Sequence, residues 1–210
     1  MDSVAYSALC KELEHFETPR WAADEILKHE ILSGFVLDPC VGSGVLADAA
    51  SRAGYGLILG TDIHDWGWRP PIDAAKFMQA DFLTDERIPP VFIGGLPVTV
   101  FMNPPFSKAE EFVRRALAMG ARKVVCFQRF SWWESQSRRA FWDEFPPNRV
   151  FICGDRADCW RFDLKKNEKG RRLDPKTGKE LSGTSTAHAW FVWEKGQIPG
   201  TLLHRIYRSK

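Results

Sequence analysis

The sequence predicts an α/β fold in which a mostly parallel sheet carries helices on both faces. Short apolar runs of strand length alternate with segments of helical periodicity along the chain. Parallel neighbouring strands need a crossover connection between them, and a helix usually supplies it. The chain has no internal repeat and no linker that would divide it, so a single domain over residues 1–210 is expected.

The individual elements follow from these two kinds of pattern. Apolar residues recur at helical spacing after Thr18-Pro19, which is typical of a helix start, and the strands are short apolar runs. The predicted helices cover residues 20–32, 44–53, 109–119 and 131–145. The predicted strands cover residues 35–37, 57–63, 76–80, 97–102, 123–128, 149–153 and 187–194.

A rigid tetrad, Asn103-Pro104-Pro105-Phe106, directly follows the apolar run at 98–102. Two consecutive prolines cannot continue a strand ladder, because proline lacks an N–H donor and its φ is fixed. The tetrad is therefore predicted to be a stiff loop that presents a side-chain amide, a free carbonyl and an aromatic face. These groups can hold a flat heterocycle bearing an amino group, although Pro-Pro can also simply end a strand.

Four polar residues, Asp38, Asp62, Asp81 and Asn103, each follow the end of a predicted strand. The carboxyl ends of parallel strands meet at one edge of a sheet, where α/β proteins bind ligands. Each acid alone can be a helix cap or a solvated loop residue. Their repeated position predicts one polar rim.

A glycine turn, Asp38-Pro39-Cys40-Val41-Gly42-Ser43-Gly44, opens the second predicted helix. Its glycines allow positive φ and close approach of a ligand to unpaired backbone amides. The turn lacks both the G-x-G-x-x-G spacing of dinucleotide sites and the Gly-Lys-Ser/Thr of a phosphate loop. An acid followed by a short glycine turn suits a ligand with an amine or ammonium group, unless the turn only joins strand to helix.

The composition excludes several classes of protein. With 210 residues, 44% hydrophobic and 27% charged, the chain is typical of one soluble globular domain. Five cysteines without C-x-x-C spacing, and no signal peptide, predict a cytoplasmic protein. No apolar stretch approaches the roughly 20 residues that cross a bilayer, so no membrane partner is expected. The residues His15, His64 and His188 lack metal-ligand spacing; no metal site is expected, and they are interpreted as loop or packing residues.

Together, the glycine turn and the tetrad resemble amino-methyltransferases that use S-adenosylmethionine, in particular N6-adenine DNA methyltransferases with D-P-x-x-G-S-G and N-P-P-F motifs. The segment Phe16-Glu17-Thr18-Pro19 resembles the F-x-T-P segment that precedes the glycine turn in one order class of that family. Segments 62–67 and 185–193 resemble small phage and prophage members. The resemblance implies a Rossmann-like, seven-stranded class I methyltransferase sheet, mostly parallel with an antiparallel last strand.

The same resemblance implies where S-adenosylmethionine would bind. Asp38 and Gly42 would line its methionine end, with Thr18 and Pro19 closing over it. Asp62 would accept hydrogen bonds from the ribose hydroxyls and Asp81 from the adenine amino group, while Phe82 would pack on the adenine ring; Asp62 and Asp81 can instead be caps or loop acids. The implied cofactor-binding residues are Phe16, Thr18, Pro19, Asp38, Pro39, Gly42, Gly44, Asp62, Ile63, Asp81 and Phe82.

The implied catalytic residues are Asn103, Pro104, Pro105 and Phe106. The Asn103 side-chain oxygen and the Pro104 carbonyl would accept both protons of an exocyclic amino group and direct its lone pair at the methyl group. Such hydrogen bonds strengthen as positive charge develops on the nitrogen, so they favour the transition state. Phe106 would stack on the target base and fix its orientation.

A basic segment follows the sixth predicted strand. Residues 156–180 hold nine Lys or Arg against five acids, and Asp174-Pro175-Lys176-Thr177-Gly178 is a turn signal. We predict a loop or hairpin insertion at about 155–184 in which Lys165, Lys166, Arg171 and Arg172 contact nucleic-acid phosphates, although it can also be a solvated loop. The stretch 129–139 mixes tryptophans and arginines, which suits either unstacked bases or packing.

The sequence therefore predicts a cytoplasmic S-adenosylmethionine-dependent N-methyltransferase whose partner is nucleic acid, with adenine N6 in DNA as the target. An adenine in a duplex must leave the stack to reach Asn103. The chain has no long recognition segment after the sixth predicted strand, so sequence recognition is expected to be weak or supplied by a partner. Alternatives are methylation of RNA adenine or of a protein glutamine amide, and a catalytically inactive cofactor-binding module.

Overall fold

The computed structural model describes residues 3–88, 92–93, 96–183, 185–197 and 200–209; position 184, the predicted end of the insertion, lies outside them. The helices are α1 Ser3–Glu12, α2 Arg20–His29, α3 Val45–Arg52, α4 Ala109–Ala118 and α5 Arg139–Glu144. The strands are β1 Phe16–Glu17, β2 Phe35–Asp38, β3 Ile58–Asp62, β4 Lys76–Gln79, β5 Phe92–Ile93, β6 Leu96–Met102, β7 Lys123–Arg129, β8 Arg149–Cys153, β9 Trp160–Arg161, β10 His188–Glu194 and β11 Leu202–Ile206.

The main sheet has the strand order β11-β8-β10-β7-β6-β2-β3-β4, with the short β5 paired to β6. Strands β4, β3, β2, β6 and β7 are parallel neighbours, and β10 runs antiparallel to both β7 and β8. The predicted α/β class with its mostly parallel sheet and antiparallel β10 is confirmed. The winding direction changes between β2 and β6, which is the position where α/β sheets bind ligands.

All seven predicted strands are present, but one predicted helix differs and the structure adds several elements, among them the short strands β1, β5 and β9. The helix expected over 131–145 is wrong in its first half, where two 3₁₀ turns precede the six-residue α5. Ser135 separates the turns with an extended backbone (φ −73°, ψ 119°), and its hydroxyl bonds to that of Ser137 at 2.7 Å. The extended backbone at Ser135 interrupts the ladder of helical hydrogen bonds at this point. Helix α1 and strand β11 were not predicted.

Two hydrophobic clusters cover the two faces of the sheet. On one face, Ile26 of α2 and Leu46 of α3 pack against Phe101 of β6. On the other face, Val113 of α4 packs with Met102, because neighbouring strand residues point to opposite faces. The tryptophans of 129–139 belong to this second cluster: Trp132 is a buried member, and the partly buried Trp133 packs against the cluster. They are therefore packing residues rather than a base-stacking surface.

A buried ion network closes the rim opposite the ends of β2 and β6. Glu30, which is 3% exposed, accepts hydrogen bonds from Lys123 (2.7 Å) and Arg149 (2.9 Å), and Arg149 also pairs with Glu194 at 2.6 Å. Burial raises the pKa of Glu30, but the bonds from Arg149 and Lys123 outweigh it and leave the pKa below its usual value.

None of the helices in the described ranges has the length and apolar character of a membrane span.

We expect Glu30→Gln to lower the free energy of unfolding by about 3–5 kcal/mol, because it removes the most buried carboxylate of the network and leaves Lys123 and Arg149 to share Glu194. Urea denaturation at pH 7 measures this loss, with Glu111→Gln on the exposed face of α4 as the control. The folded-state pKa of Glu30 lies below the unfolded one, so its contribution is present at pH 7 and disappears as the pH falls below 4.5 and through the lowered value. Equal stability of the two variants at pH 7 would contradict this role.

Candidate functional site

A cleft opens at the carboxyl ends of β2, β3, β4 and β6, with an empty volume of about 990 Å³ including its mouth. It joins the N-terminal segment before α2 to the rim that the sequence predicts. The predicted site residues that line it are Phe16, Thr18, Asp38, Pro39, Gly42, Asp62, Ile63, Asp81, Phe82, Asn103 and Pro105. The predicted residues Pro19, Gly44, Pro104 and Phe106 lie beside it rather than in its wall.

The glycine turn is shaped by two residues with positive φ, Gly42 (52°) and Gly44 (86°). A Cβ on Gly42 would lie 2.7 Å from the Nε2 atom of His15, so only glycine fits against the cleft wall. Gly44 begins α3, and a Cβ there would lie 1.8 Å from the indole of Trp68. The requirement at Gly44 is therefore close packing on Trp68, which explains why this residue lies outside the cleft.

Asp62 holds the turn from the neighbouring strand. Its carboxylate accepts hydrogen bonds from the backbone N–H of Gly42 (2.9 Å), the backbone N–H of His64 (3.1 Å) and the Trp66 indole (3.2 Å). Burial raises its pKa, and these bonds offset only part of that effect. Three of its acceptor positions are thus filled by the protein, which leaves little capacity for the ribose hydroxyls expected from the sequence.

Asp38 carries the most strongly buried charge of the cleft. It is 1% exposed and accepts one bond, from the backbone N–H of Cys40 at 3.3 Å. Burial raises its pKa well above the usual value, and the nearby Asp62 adds to the shift. Within the described ranges neither acid has a Lys or Arg partner. The cleft therefore suits a cationic ligand.

Asn103 has a fixed amide orientation. Its Nδ2 atom donates to the backbone carbonyl of Phe16 and to the Thr18 hydroxyl, both at 2.9 Å. A carbonyl can only accept, so the nitrogen must face the N-terminal segment and Oδ1 must face the other way. Oδ1 is buried and has no hydrogen-bond partner in the described part of the chain. A buried acceptor without a donor is costly, which makes Oδ1 a ready position for a ligand N–H.

Asp81 and Phe82 occupy the far end of the cleft, after β4. Asp81 accepts a bond from the backbone N–H of Leu83 at 2.9 Å, which is a turn arrangement. Phe82 is buried and packs on Phe112 of α4, with ring centres 5.2 Å apart. Both residues border the cleft, and Phe82 belongs as much to the core as to the site.

His15 and Trp66 line the cleft although the sequence assigned neither of them to the binding site. The His15 ring lies 4.1 Å from the Trp66 ring and stacks on Phe162 at 4.7 Å. Burial lowers the pKa of His15 to about 4, so it is neutral at pH 7. Its packing role agrees with the sequence interpretation; its place in the cleft wall could have been inferred only from its position beside Phe16.

The basic insertion is anchored on the N-terminal segment. Strand β9 pairs with β1, and the buried Arg172 donates to the carbonyls of Phe162 (3.0 Å) and Leu164 (2.6 Å) and pairs with Glu17. Two isolated antiparallel bridges, Lys166 to Arg172 and Leu173 to Glu180, make residues 166–180 resemble two successive hairpins. Arg172 therefore stabilises the docked insertion and is withdrawn as a phosphate contact.

The other predicted phosphate contacts remain at the surface. Lys165, Lys166 and Arg171 are exposed. Lys166 lies 3.4 Å from Glu17 and Arg171 lies 3.7 Å from Glu180, so both cations share their charge with a carboxylate. None of the three lines the cleft.

The Phe106 ring is covered by protein groups. It stacks on Phe16 with ring centres 5.4 Å apart, and the guanidinium carbon of Arg129 lies 4.4 Å from its centre. His188, buried on the neighbouring β10, lies 6.1 Å away.

In the ranges that the structure describes, no group of three or more His, Cys, Asp or Glu side chains could hold a metal ion.

Comparisons with known proteins identify the fold. No family model matches the chain, and no curated protein matches its sequence. Solved structures do: "a putative RNA methyltransferase" from Pyrococcus horikoshii (18% identity, TM-score 0.58, covering 87% of this chain and 88% of that one) and "a predicted O-methyltransferase" from Agrobacterium tumefaciens (14%, 0.52, 91% and 86%). A "putative hemolysin" from Streptococcus thermophilus also matches (10%, 0.51, 87% and 68%). At these identities the likeness is one of fold, and that fold is the Rossmann-like fold of methyltransferases.

We expect Asp38→Asn to stabilise the ligand-free protein at pH 8 by about 0.5–2 kcal/mol, because it removes a buried charge that lacks a cationic partner. The folded-state pKa of Asp38 is raised, so the wild type loses stability as the pH rises from 3.8 through the raised value. Thermal melts from pH 4 to 8 should show this loss in the wild type and in the exposed control Asp73→Asn, and a smaller loss in Asp38→Asn, where Asp62 keeps its own raised pKa. A less stable Asp38→Asn at pH 8 would contradict the assignment.

Proposed function

We propose that the protein is an S-adenosylmethionine-dependent methyltransferase that acts on an exocyclic amino group, adenine N6 in DNA. The observation that carries the proposal is the buried Asn103 Oδ1, a fixed acceptor without a donor, on the same cleft as two buried and unpaired carboxylates. An acceptor for an amino group and a binding site for a cation are the two parts that this reaction needs.

The residues of the cleft fit the cofactor. When bound, S-adenosylmethionine supplies an activated methyl group on a sulfonium, and its ammonium and sulfonium charges match the buried Asp38 and Asp62. The backbone at Gly42 lacks a side chain, so the ligand can approach it closely. Asp81 and Phe82 would hold the adenine end, and Ile63, exposed at the mouth, would cover one side of the nucleoside.

The proposed chemistry depends on hydrogen bonds rather than on a base. Oδ1 of Asn103 and the carbonyl of Pro104 would each accept one proton of the target amino group and hold its lone pair toward the methyl donor. As positive charge develops on that nitrogen both bonds strengthen, so the barrier falls. The amide oxygen of Asn103 is too weakly basic to keep the proton, which leaves to water after transfer.

Nucleic acid is proposed as the substrate on three grounds. The tetrad resembles that of adenine methyltransferases, the exposed Lys165, Lys166 and Arg171 lie on one insertion, and the fold is similar to that of a putative RNA methyltransferase. The motifs favour DNA, while the structural likeness favours RNA as the second candidate. Both substrates present the same adenine amino group to Asn103.

Transfer of labelled methyl groups tests the proposal directly. We expect the protein, incubated with S-adenosylmethionine carrying a labelled methyl group and with unmethylated plasmid DNA, to form N6-methyladenine, detected after digestion to nucleosides. Transcribed RNA of the same sequence and an unmodified protein extract are the parallel substrates. Label in RNA alone or in protein glutamine alone would replace DNA as the substrate. Binding of the cofactor without transfer to any substrate would contradict an enzyme.

We expect Asn103→Ala to lower the rate of transfer by about 100- to 1000-fold, because the amino group loses a positioned acceptor in the transition state. Cofactor affinity, measured by calorimetry, should change little. Thr18→Val removes one of the bonds that orient the amide, so it should lower the rate at saturating cofactor by about tenfold, and Thr18→Ser should restore the rate. Full activity of Asn103→Ala would remove the tetrad from the mechanism.

A further inference from the structure

Arg129 ends β7, beside the end of β6 that leads to Asn103. Its side chain is exposed, and its guanidinium lies over the Phe106 ring. Among the described residues no carboxylate lies within ion-pair distance of this guanidinium. The Arg129 guanidinium therefore lies beside the tetrad without an ion pair to any described residue.

Two arginines that are built into the fold differ from Arg129 in this respect. Arg114 pairs with Glu110 and Glu144, and Arg149 pairs with Glu30 and Glu194. These pairs neutralise the guanidinium and fix it in the fold. Among the described residues, the Arg129 guanidinium has the weak attraction of the Phe106 ring and no ion pair, so it can change partners at small cost.

Two titratable groups near Arg129, His188 and Cys159, carry no negative charge that would cancel its own. His188 is its register partner on β10, and burial, with a contribution from Arg129, lowers the pKa of His188 to about 4. His188 is thus neutral at pH 7. Cys159, which lies near the Asn103 amide, is buried, and burial raises its pKa to about 12, so it is not a thiolate. The acid nearest in effect is Asp158, which raises the pKa of His188 while Arg129 lowers it. The charge of Arg129 is therefore not neutralised by His188 or Cys159.

The position of the guanidinium has a chemical meaning. A guanidinium is planar and binds phosphate through two parallel hydrogen bonds, and it also stacks on aromatic rings. Here it covers a face of the ring that was expected from the sequence to stack on the target base. A base that uses this face must displace the guanidinium, and the phosphate attached to that base arrives with it.

We propose that Arg129 binds a phosphate beside the target base and that, without substrate, it covers the Phe106 ring face which the base then occupies. This inference rests on the proposed function and restricts its substrate to a polyanion. A protein glutamine would bring no phosphate to this position. Arg129 is thus the residue that distinguishes a nucleic acid from an uncharged substrate bearing a similar amino group.

Salt-dependent binding of a fluorescent, unmethylated DNA duplex of about 30 base pairs tests the inference. We expect Arg129→Gln to lower the slope of log K against log[KCl] by about one and the affinity by about tenfold, because one phosphate contact is lost. Cofactor affinity should be unchanged. Arg122→Gln is the matched control, since Arg122 is exposed just before the opposite end of β7.

Arg129→Lys adds a second readout, because it keeps the charge but loses the planar group. It should keep the wild-type slope yet bind more weakly. If the wild type methylates DNA and Arg129→Gln has the wild-type slope, the inference is wrong and the proposed function stands. If the slope depends on Arg129 but no methyl group is transferred, the phosphate site stands and the proposed function is wrong. If neither DNA nor RNA of the same sequence binds, both are overturned.

Discussion

The site depends on the hydrogen bonds that the Asn103 amide donates to the Phe16 carbonyl and the Thr18 hydroxyl. These bonds tie the end of β6 to a two-residue strand that the main sheet does not contain. That strand, β1, is in turn held by β9 and by the pairing of Glu17 with Arg172. A single rotamer in the tetrad is thus fixed by segments that lie far before and far after it in the chain. Rotation of the amide by 180° would present a donor to an amino group that needs an acceptor.

The two rims of the sheet treat their buried carboxylates in opposite ways. Glu30 is surrounded by Lys123 and Arg149, and the paired charges stabilise the fold. Asp38 and Asp62 are buried without a cation, so they cost stability until a cationic ligand arrives. The cleft thus lowers the stability of the ligand-free fold, while the ion network at the opposite edge of the sheet raises it. A ligand that supplies positive charge recovers the cost, which links binding to stability.

The sequence predicted the strands and the rim well because both depend on local patterns. A buried parallel strand is a short apolar run, and its carboxyl end is where Asp38, Asp62 and Asn103 lie. The sequence predicted less well the features that depend on residues distant in the chain. Residues 131–138 have helical spacing, yet Ser135 bonds locally and Trp132 is drawn into the core as 3₁₀ turns. Gly44 is a site residue by motif, and only the Trp68 indole above it shows that close packing requires the glycine.

Arg172 shows why the charge of a segment does not by itself indicate where its cations lie. The insertion is rich in Lys and Arg, but not all of these cations are exposed. Arg172 is buried, where it donates hydrogen bonds to two backbone carbonyls and pairs with Glu17. The same arginine therefore helps to orient Asn103 through β1 instead of contacting phosphate. Lys165, Lys166 and Arg171 of the same insertion stay exposed. Arg129 differs from them in position, because it ends β7 and its guanidinium lies over the Phe106 ring of the tetrad.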